Sequence, residues 1–430
     1  MKLPKFIREN LLLKMTSLNS GVILVRLFIG FFIQRLLTDN LGSGGYAKVG
    51  SLRNLMQILT SITSLGIFNG IVKYVSEHKE NKEELQQLFS TAFVFTVIGS
   101  TATFIVLFFF SEPISSYFFF SSEYSFIIKI VAVIAPFIAI QRVFNGVVNG
   151  LSKYKDFAKI EMLAYLLSSG LTIWFLYKYN LDGVLVSIAV IPIIQVIVML
   201  FIFIKVLREY VQFSKIRFEV PLAKSLLTFS LMSFVSTILL GFLEVDIRGM
   251  IAGKIGNVGA DVWTAMTTLS KNYMVFSGAI FTLYVIPKFS GIYKKTDFVK
   301  EVKTIYKTLL PLFAVGMIVI YFGRQLFIDY IFIDYTGMKP LFKWQLMGDF
   351  MRLVSLVLAH QFFAKKMVRN FIFTEVLSLA LFYVFANYLS GIYGVEGVVM
   401  AHFFRYIIYF IVVVFLVNRY FTKNKDTQID

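Results

Sequence analysis

Gly183–Ile204 reads GVLVSIAVIPIIQVIVMLFIFI, a run without one charged side chain. At 1.5 Å per residue a helix of that length spans about 33 Å, enough to cross a hydrocarbon core about 30 Å thick. Asp182 precedes the run and Lys205 follows it, so the charges bracket it. A buried strand would need only about 4–8 such residues. The stretch therefore reads as a transmembrane helix.

Moving outward from it, the pattern repeats along the whole chain. The 430 residues are 57% hydrophobic and 16% charged, against about 45–50% and 25% in soluble domains. One soluble core cannot hide that surplus, because the polar surface would run out first. Twelve spans are expected, at 16–38, 47–72, 86–110, 124–148, 157–178, 183–204, 223–244, 258–286, 304–323, 341–363, 370–389 and 395–418. Links are short and hold turn formers, as in Asp39–Gly45, Ser111–Pro113 and Asn180–Gly183. The basic N-terminal segment lacks a small-residue cleavage site, so the first span is expected to be retained.

The net charge of +17 comes from Lys and Arg lying between apolar runs. That is the membrane pattern, not the solvated basic face that nucleic acid requires. With the N-terminus in the cytoplasm, the inside segments hold 26 Lys and Arg and the outside links hold 6, among them Arg248 and Lys254. This bias in short loops orients both termini inward. The chain has no Cys, so no thiolate site exists. His78, His360 and His402 lack ligand spacing, and no metal or cofactor is expected. Gly42-Ser43-Gly44-Gly45 lacks both the phosphate-loop and the dinucleotide spacing and reads as a turn.

The two halves look related. Lys155, Phe157 and Glu161 recur as Arg369, Phe371 and Glu375 at a shift of 214, and Asp182-Gly183-Val184 recurs as Glu396-Gly397-Val398. A shift of 213 relates Ser17 to Ser230 and Arg35 to Arg248. A duplicated six-helix unit explains these matches and gives parallel repeats. The expected architecture is an all-α membrane protein of about 12 transmembrane helices in two parallel six-helix bundles around a central cavity. The expected division is 1–208, a cytoplasmic linker 209–222, and 223–430.

Ten basic residues remain inside the apolar spans. Some sit near span ends and can snorkel, Lys129, Lys307 and Lys343 among them. Arg26 lies about 15 Å deep, with Lys271 and Arg352 at similar depth and Arg53 and Arg405 slightly shallower. A central cation costs about 2.5–3.5 kcal/mol on insertion scales, so these side chains should face a wet interior or pair with carboxylates. Asp349 and Arg352 stand three apart on one helix face and can pair. Arg26 and Arg53 have no obvious carboxylate, and an unpaired basic cavity suits an anion such as pyrophosphate. A cation antiporter would instead want buried acids in the first half, where Glu161 stands alone. A glycosyltransferase, polymerase or ligase would want a sizeable extramembrane loop, and the longest outside link is too short. A scaffold would have no reason to bury Arg26. The chain is therefore read as a transporter and not an enzyme.

Two stretches carry a resemblance: Gly66-Ile-Phe-Asn-Gly-Ile-Val-Lys-Tyr-Val75 and Leu341-Phe-Lys-Trp-Gln-Leu-Met-Gly-Asp349. With Arg26, Arg35, Arg53, Trp263, the 269-LSKNYMVF run, Pro287 and Glu375 in its TEV tripeptide, they resemble the Wzx-type flippases of the multidrug/oligosaccharidyl-lipid/polysaccharide exporter superfamily. The sequence departs from the resembled pattern at Lys271, where an acidic residue is expected. The resemblance implies translocation of an undecaprenyl-pyrophosphate-linked oligosaccharide, of O-antigen or enterobacterial-common-antigen type, from the cytoplasmic to the periplasmic leaflet by alternating access. A multidrug cation antiporter of the same fold is the alternative. Arg26, Arg53, Lys73, Arg142, Lys271 and Arg352 are the candidate substrate-binding residues. Asp349 and Glu375 are candidates for coupling or for an ion pair. Membrane lipids, and a polysaccharide polymerase with a chain-length regulator, are the expected partners.

Overall fold

Charge-free runs become helices in a bilayer because a helix satisfies its own backbone hydrogen bonds where no water can. The computed structural model describes residues 11–151, 153–211, 213–333 and 335–423; the basic start of the chain and its C-terminal tail fall outside them. The helices are α1 (Leu11–Asn40), α2 (Gly45–Ile62), α3 (Phe68–His78), α4 (Lys82–Phe109), α5 (Ser111–Phe119), α6 (Ser125–Gly150) and α7 (Tyr154–Tyr210), followed by α8 (Ala223–Lys254), α9 (Asn257–Ile280), α10 (Ile286–Ser290), α11 (Lys295–Phe322), α12 (Arg324–Tyr330), α13 (Leu341–Ala364) and α14 (Val368–Lys423). Among the described residues, six helical segments are long and apolar enough to cross a membrane.

Two of those six, α7 and α14, are each far longer than one bilayer crossing. Each is two helices joined at one non-helical residue, Asn180 (φ 49°, ψ −132°) in α7 and Gly394 (φ 59°, ψ −139°) in α14. These breaks fall where the expected spans 157–178 and 183–204, and 370–389 and 395–418, meet. The expected span 47–72 is interrupted instead: α2 ends at Ile62, Leu65 and Gly66 take positive φ, and α3 restarts at Phe68. α3 is the core of the first resemblance stretch, and Ile67, Ile71 and Val75 are fully buried against α4, α6 and α7.

Local chemistry sets the ends. Asn81 caps α4 by accepting from the backbone N–H groups of Glu83 (3.1 Å) and Glu84 (3.3 Å), and the two acids sit where the helix dipole favours negative charge. The link after α4 is itself a short helix, α5, with Pro113 in its first turn, where the missing N–H costs nothing. α8 runs on to Lys254, beyond the expected end at 244. That corrects the reading of Arg248 as a link residue. It is 2% exposed, donates from Nε to Thr264 Oγ1 at 3.0 Å and lies 5.4 Å from the Trp263 ring.

Contacts group the chain into two compact units, Asn40–Val245 and a second made of Met1–Asp39 with Asp246–Asp430. These boundaries differ from the sequence halves. In the second unit α1 is held by Arg35 Nη1 donating to the Tyr330 carbonyl and Thr38 Oγ1 donating to that of Ile331, each at 3.0 Å. Phe31 meets Phe327 edge-on with ring centroids 5.9 Å apart. In the first unit, Asn54 Nδ2 donates across to the Gly241 carbonyl of α8 at 3.4 Å.

Candidate functional site

The Asn40–Val245 unit holds a polar cavity of about 450 Å³. Helix α2 supplies Arg53, Met56, Gln57 and Thr60, spaced three, four and seven residues apart and so on one face. α6 adds Gln141 and Arg142, and the second half of α7 adds Ile188, Ile191 and Gln195. Gln141 Nε2 donates to Gln195 Oε1 at 2.5 Å, tying α6 to α7 across the cavity wall. The Arg142 guanidinium lies 3.8 Å from the Phe68 ring, a cation–π contact with the first residue of α3. Among the described residues, no Asp or Glu lines the cavity. The opposite face of α2, with Leu55, Ile58, Leu59 and Ile62, borders a wholly apolar groove of about 560 Å³. One helix thus separates a cationic cavity from an apolar one.

Of the six expected binding residues, Arg53 and Arg142 meet in this cavity. Lys73 belongs to the same unit but pairs with Glu77 one turn along, at 3.6 Å, and lies 5.3 Å from the Tyr74 ring. Arg26, Lys271 and Arg352 belong to the other unit; Arg26 and Arg352 are half-buried and Lys271 is exposed.

That second unit contains a buried polar network centred on Asp349 of α13, which is fully buried. From α9, the Ser270 hydroxyl donates to Asp349 Oδ2 at 2.6 Å, and the Tyr273 hydroxyl donates to the same oxygen. Gln345 Nε2 donates to it at 3.1 Å. His402 of α14 reaches the other oxygen, Nε2 to Oδ1, at 3.0 Å. On the far side of the ring, Arg405 Nη2 stands 3.1 Å from His402 Nδ1. A guanidinium can only donate, so Nδ1 accepts and Nε2 carries the hydrogen given to Asp349. Arg405 also covers the Phe382 ring at 4.1 Å and donates to the Tyr406 hydroxyl at 3.4 Å. Glu375 accepts from the Tyr409 hydroxyl at 3.4 Å and lies within the electrostatic reach of Arg405 and Arg352. The imidazole fits because position 348 is glycine: a Cβ there would stand 2.4 Å from His402 Cδ2.

Reading the sequence missed His402 and Arg405 as members of this network, and missed the burial of Arg248. One signal was available: His402 and Arg405 stand three apart, on one helix face. The amides Gln141 and Gln195 carried no signal, because only the packing of α6 on α7 brings them together.

Long apolar helices arranged around charged interior groups define a multi-pass membrane protein of transporter type. The family model for polysaccharide biosynthesis proteins matches residues 12–293, and the chain belongs to that family. It is similar to the lipid III flippase of Escherichia coli (strain K12), with 27% identity over 391 residues, 90% of this chain and 93% of that protein. It shares its fold with an inward-facing MATE family transporter of the MOP superfamily (TM-score 0.74, 15% identity, 96% of this chain and 99% of the other). It shares it also with the lipid II flippase MurJ in an inward closed conformation (TM-score 0.70, 14% identity, 94% and 87%). The all-α membrane fold and the family resemblance read from the sequence agree with these likenesses.

Proposed function

We propose that the protein is a flippase that carries an undecaprenyl-pyrophosphate-linked oligosaccharide from the cytoplasmic to the periplasmic leaflet of a bacterial inner membrane by alternating access. The observation that carries this reading is the pairing of Arg53 and Arg142 in one cavity that has no carboxylate in its lining. Guanidinium groups fit a pyrophosphate bidentately, and the neutral amides and hydroxyls beside them suit sugar hydroxyls. Similarity to the lipid III flippase over nearly the whole chain supports the same class of cargo. A cation antiporter is disfavoured, because two arginines without an acid repel its substrate.

In this reading both termini are cytoplasmic, and the sequence halves 1–208 and 223–430 descend from one six-helix unit. Arg26, Lys73, Lys271 and Arg352 are secondary contributors to charge neutralisation, and a polymerase with a chain-length regulator receives the product. The test is restoration of surface glycan in a strain lacking its own flippase. Each charge-assisted hydrogen bond contributes about 1.5–3 kcal/mol, so Arg53→Ala and Arg142→Ala should each weaken substrate binding by about ten- to a hundredfold. The double variant, inserted at wild-type level, should restore no glycan. Full restoration by that double variant would overturn the anion site.

A further inference from the structure

The Asp349 network holds a group that the proposed cargo site does not use. His402 is buried between a carboxylate and a guanidinium, with Asp349 on its Nε2 side and Arg405 on its Nδ1 side. Asp349 already accepts from Ser270, Tyr273, Gln345 and His402. Three of these donors share Oδ2, which has about two lone-pair sites, so a proton arriving at that oxygen would displace a donor already in place. Nδ1 of His402 is different. It is a lone pair held against a guanidinium, and the same guanidinium has a carboxylate within its electrostatic reach in Glu375.

We propose that His402 is a proton-binding site, and that proton capture at its Nδ1 moves Arg405 from His402 to Glu375, giving this unit two alternative internal arrangements. The balance is simple. A proton from water adds to the Nδ1 lone pair, both ring nitrogens become donors, and imidazolium and guanidinium then face each other with like charge. Nε2–H stays on Asp349, whose negative charge pairs with the new imidazolium. Arg405 loses Nδ1 as an acceptor and turns to the Glu375 carboxylate, which at present takes one long hydrogen bond from Tyr409. Loss of the proton reverses each step.

The groups that face His402 are few and come from each helix packed on it. α13 supplies Asp349 and Arg352, both acting on it electrostatically. α14 supplies Arg405 at 3.1 Å and Tyr406, whose ring lies edge-on at 5.1 Å. α9 supplies Tyr273 and Ser270, which are linked to it through Asp349. The Phe382 ring also stands edge-on to it, at 5.9 Å. The link from this switch to cargo movement rests on the flippase reading above, whereas the protonation itself does not.

The chain has three histidines, so a His78→Gln, His360→Gln protein reconstituted in nanodiscs leaves His402 as the one reporter. Its ¹⁵N spectrum should show the Nε2–H tautomer at neutral pH and an imidazolium on acidification. His402 staying neutral at every pH where the protein remains folded would overturn the proposal. For coupling, the full chain in vesicles is given a fluorescent polyprenyl-pyrophosphate disaccharide as probe and one unit of pH across the membrane. Per proton carried, that gradient biases the distribution about tenfold. The ratio measured with and without the gradient should fall to about one in His402→Gln, whose amide keeps one donor and one acceptor, and in Glu375→Gln. An undiminished ratio in either variant, or a sodium gradient that replaces the proton gradient in the wild type, would refute it. A wild type whose His402 titrates as described but that moves no probe would sink the flippase reading and leave the proton site standing.

Discussion

The two halves of this chain share a backbone feature and differ in what they put beside it. The hairpin breaks at Asn180 and Gly394 lie 214 residues apart and have nearly the same φ and ψ. Three residues on, a Cβ at Gly183 would stand 2.3 Å from the Phe175 carbonyl oxygen, and one at Gly397 would stand 2.1 Å from that of Leu389, again 214 apart. Carrying the same shift into the polar sites relates cavity-lining Ile188, Ile191 and Gln195 to His402, Arg405 and Tyr409. It relates Ile138 to Arg352 and buried Ala135 to Asp349, and a shift of 213 relates Gln57 and Thr60 to Ser270 and Tyr273. The place that is a cavity in one half is packed with a hydrogen-bonded acid–base network in the other. The hairpins set where a polar interior can form, and a handful of side chains decides whether it is space or structure.

The largest effect should follow from making the second half resemble the first at its centre. Asp349→Ala copies the residue at position 135 and removes the acceptor of Ser270, Tyr273, Gln345 and His402. Each of these buried donors left unsatisfied costs about 1–3 kcal/mol. Thermal unfolding in detergent should register that loss, with Arg53→Ala as the comparison, expected to lie within about 0.5 kcal/mol of wild type because it lines open space. Equal losses from both would mean that the cavity arginine is as structural as the network acid.

Much of the fold was legible because a bilayer asks little of a sequence beyond length and the absence of charge. Gly183–Ile204, its bracketing charges and the turn at Asn180 were readable without any contact. The interruption of the second span was not, because Gly66-Ile67-Phe68 carries no helix breaker stronger than one glycine. The grouping of α1 with the later part of the chain was hidden as well, since Arg35 and Thr38 reach the Tyr330 and Ile331 carbonyls across almost 300 positions. Buried cations could be counted, but depth alone does not say which converge. Arg53 and Arg142 meet because α2 and α6 both border α7. Arg352 and Arg405, equally basic, lie in the surroundings of Asp349, Glu375 and His402 instead.

An intermediate effect is expected where the two halves agree. Ala at position 183 or 397 puts a methyl against a carbonyl oxygen at 2.3 or 2.1 Å, so the hairpin must open. Overpacking of this kind costs about 1–3 kcal/mol. Gly183→Ala and Gly397→Ala should therefore lower the unfolding temperature by similar amounts. A large loss at one and none at the other would break the equivalence of the two hairpins while leaving the polar sites untouched.

The smallest effect is the sharpest test of that equivalence, because its sign must reverse between halves. Asn180 holds a positive φ with ψ near −132° that side chains adopt at a cost of about 1–3 kcal/mol, and Gly394 holds the same conformation freely. Exchanging the residues moves the strain from one hairpin to the other. Gly394→Asn should destabilise the protein by about 1 kcal/mol. Asn180→Gly should stabilise it by somewhat less, since glycine also gains freedom in the unfolded chain. Measured together in one protein, the two substitutions should nearly cancel, because effects in separate compact units add. If both substitutions destabilise, Asn180 is held by its side chain and not merely tolerated, and the two turns are alike in shape for different reasons.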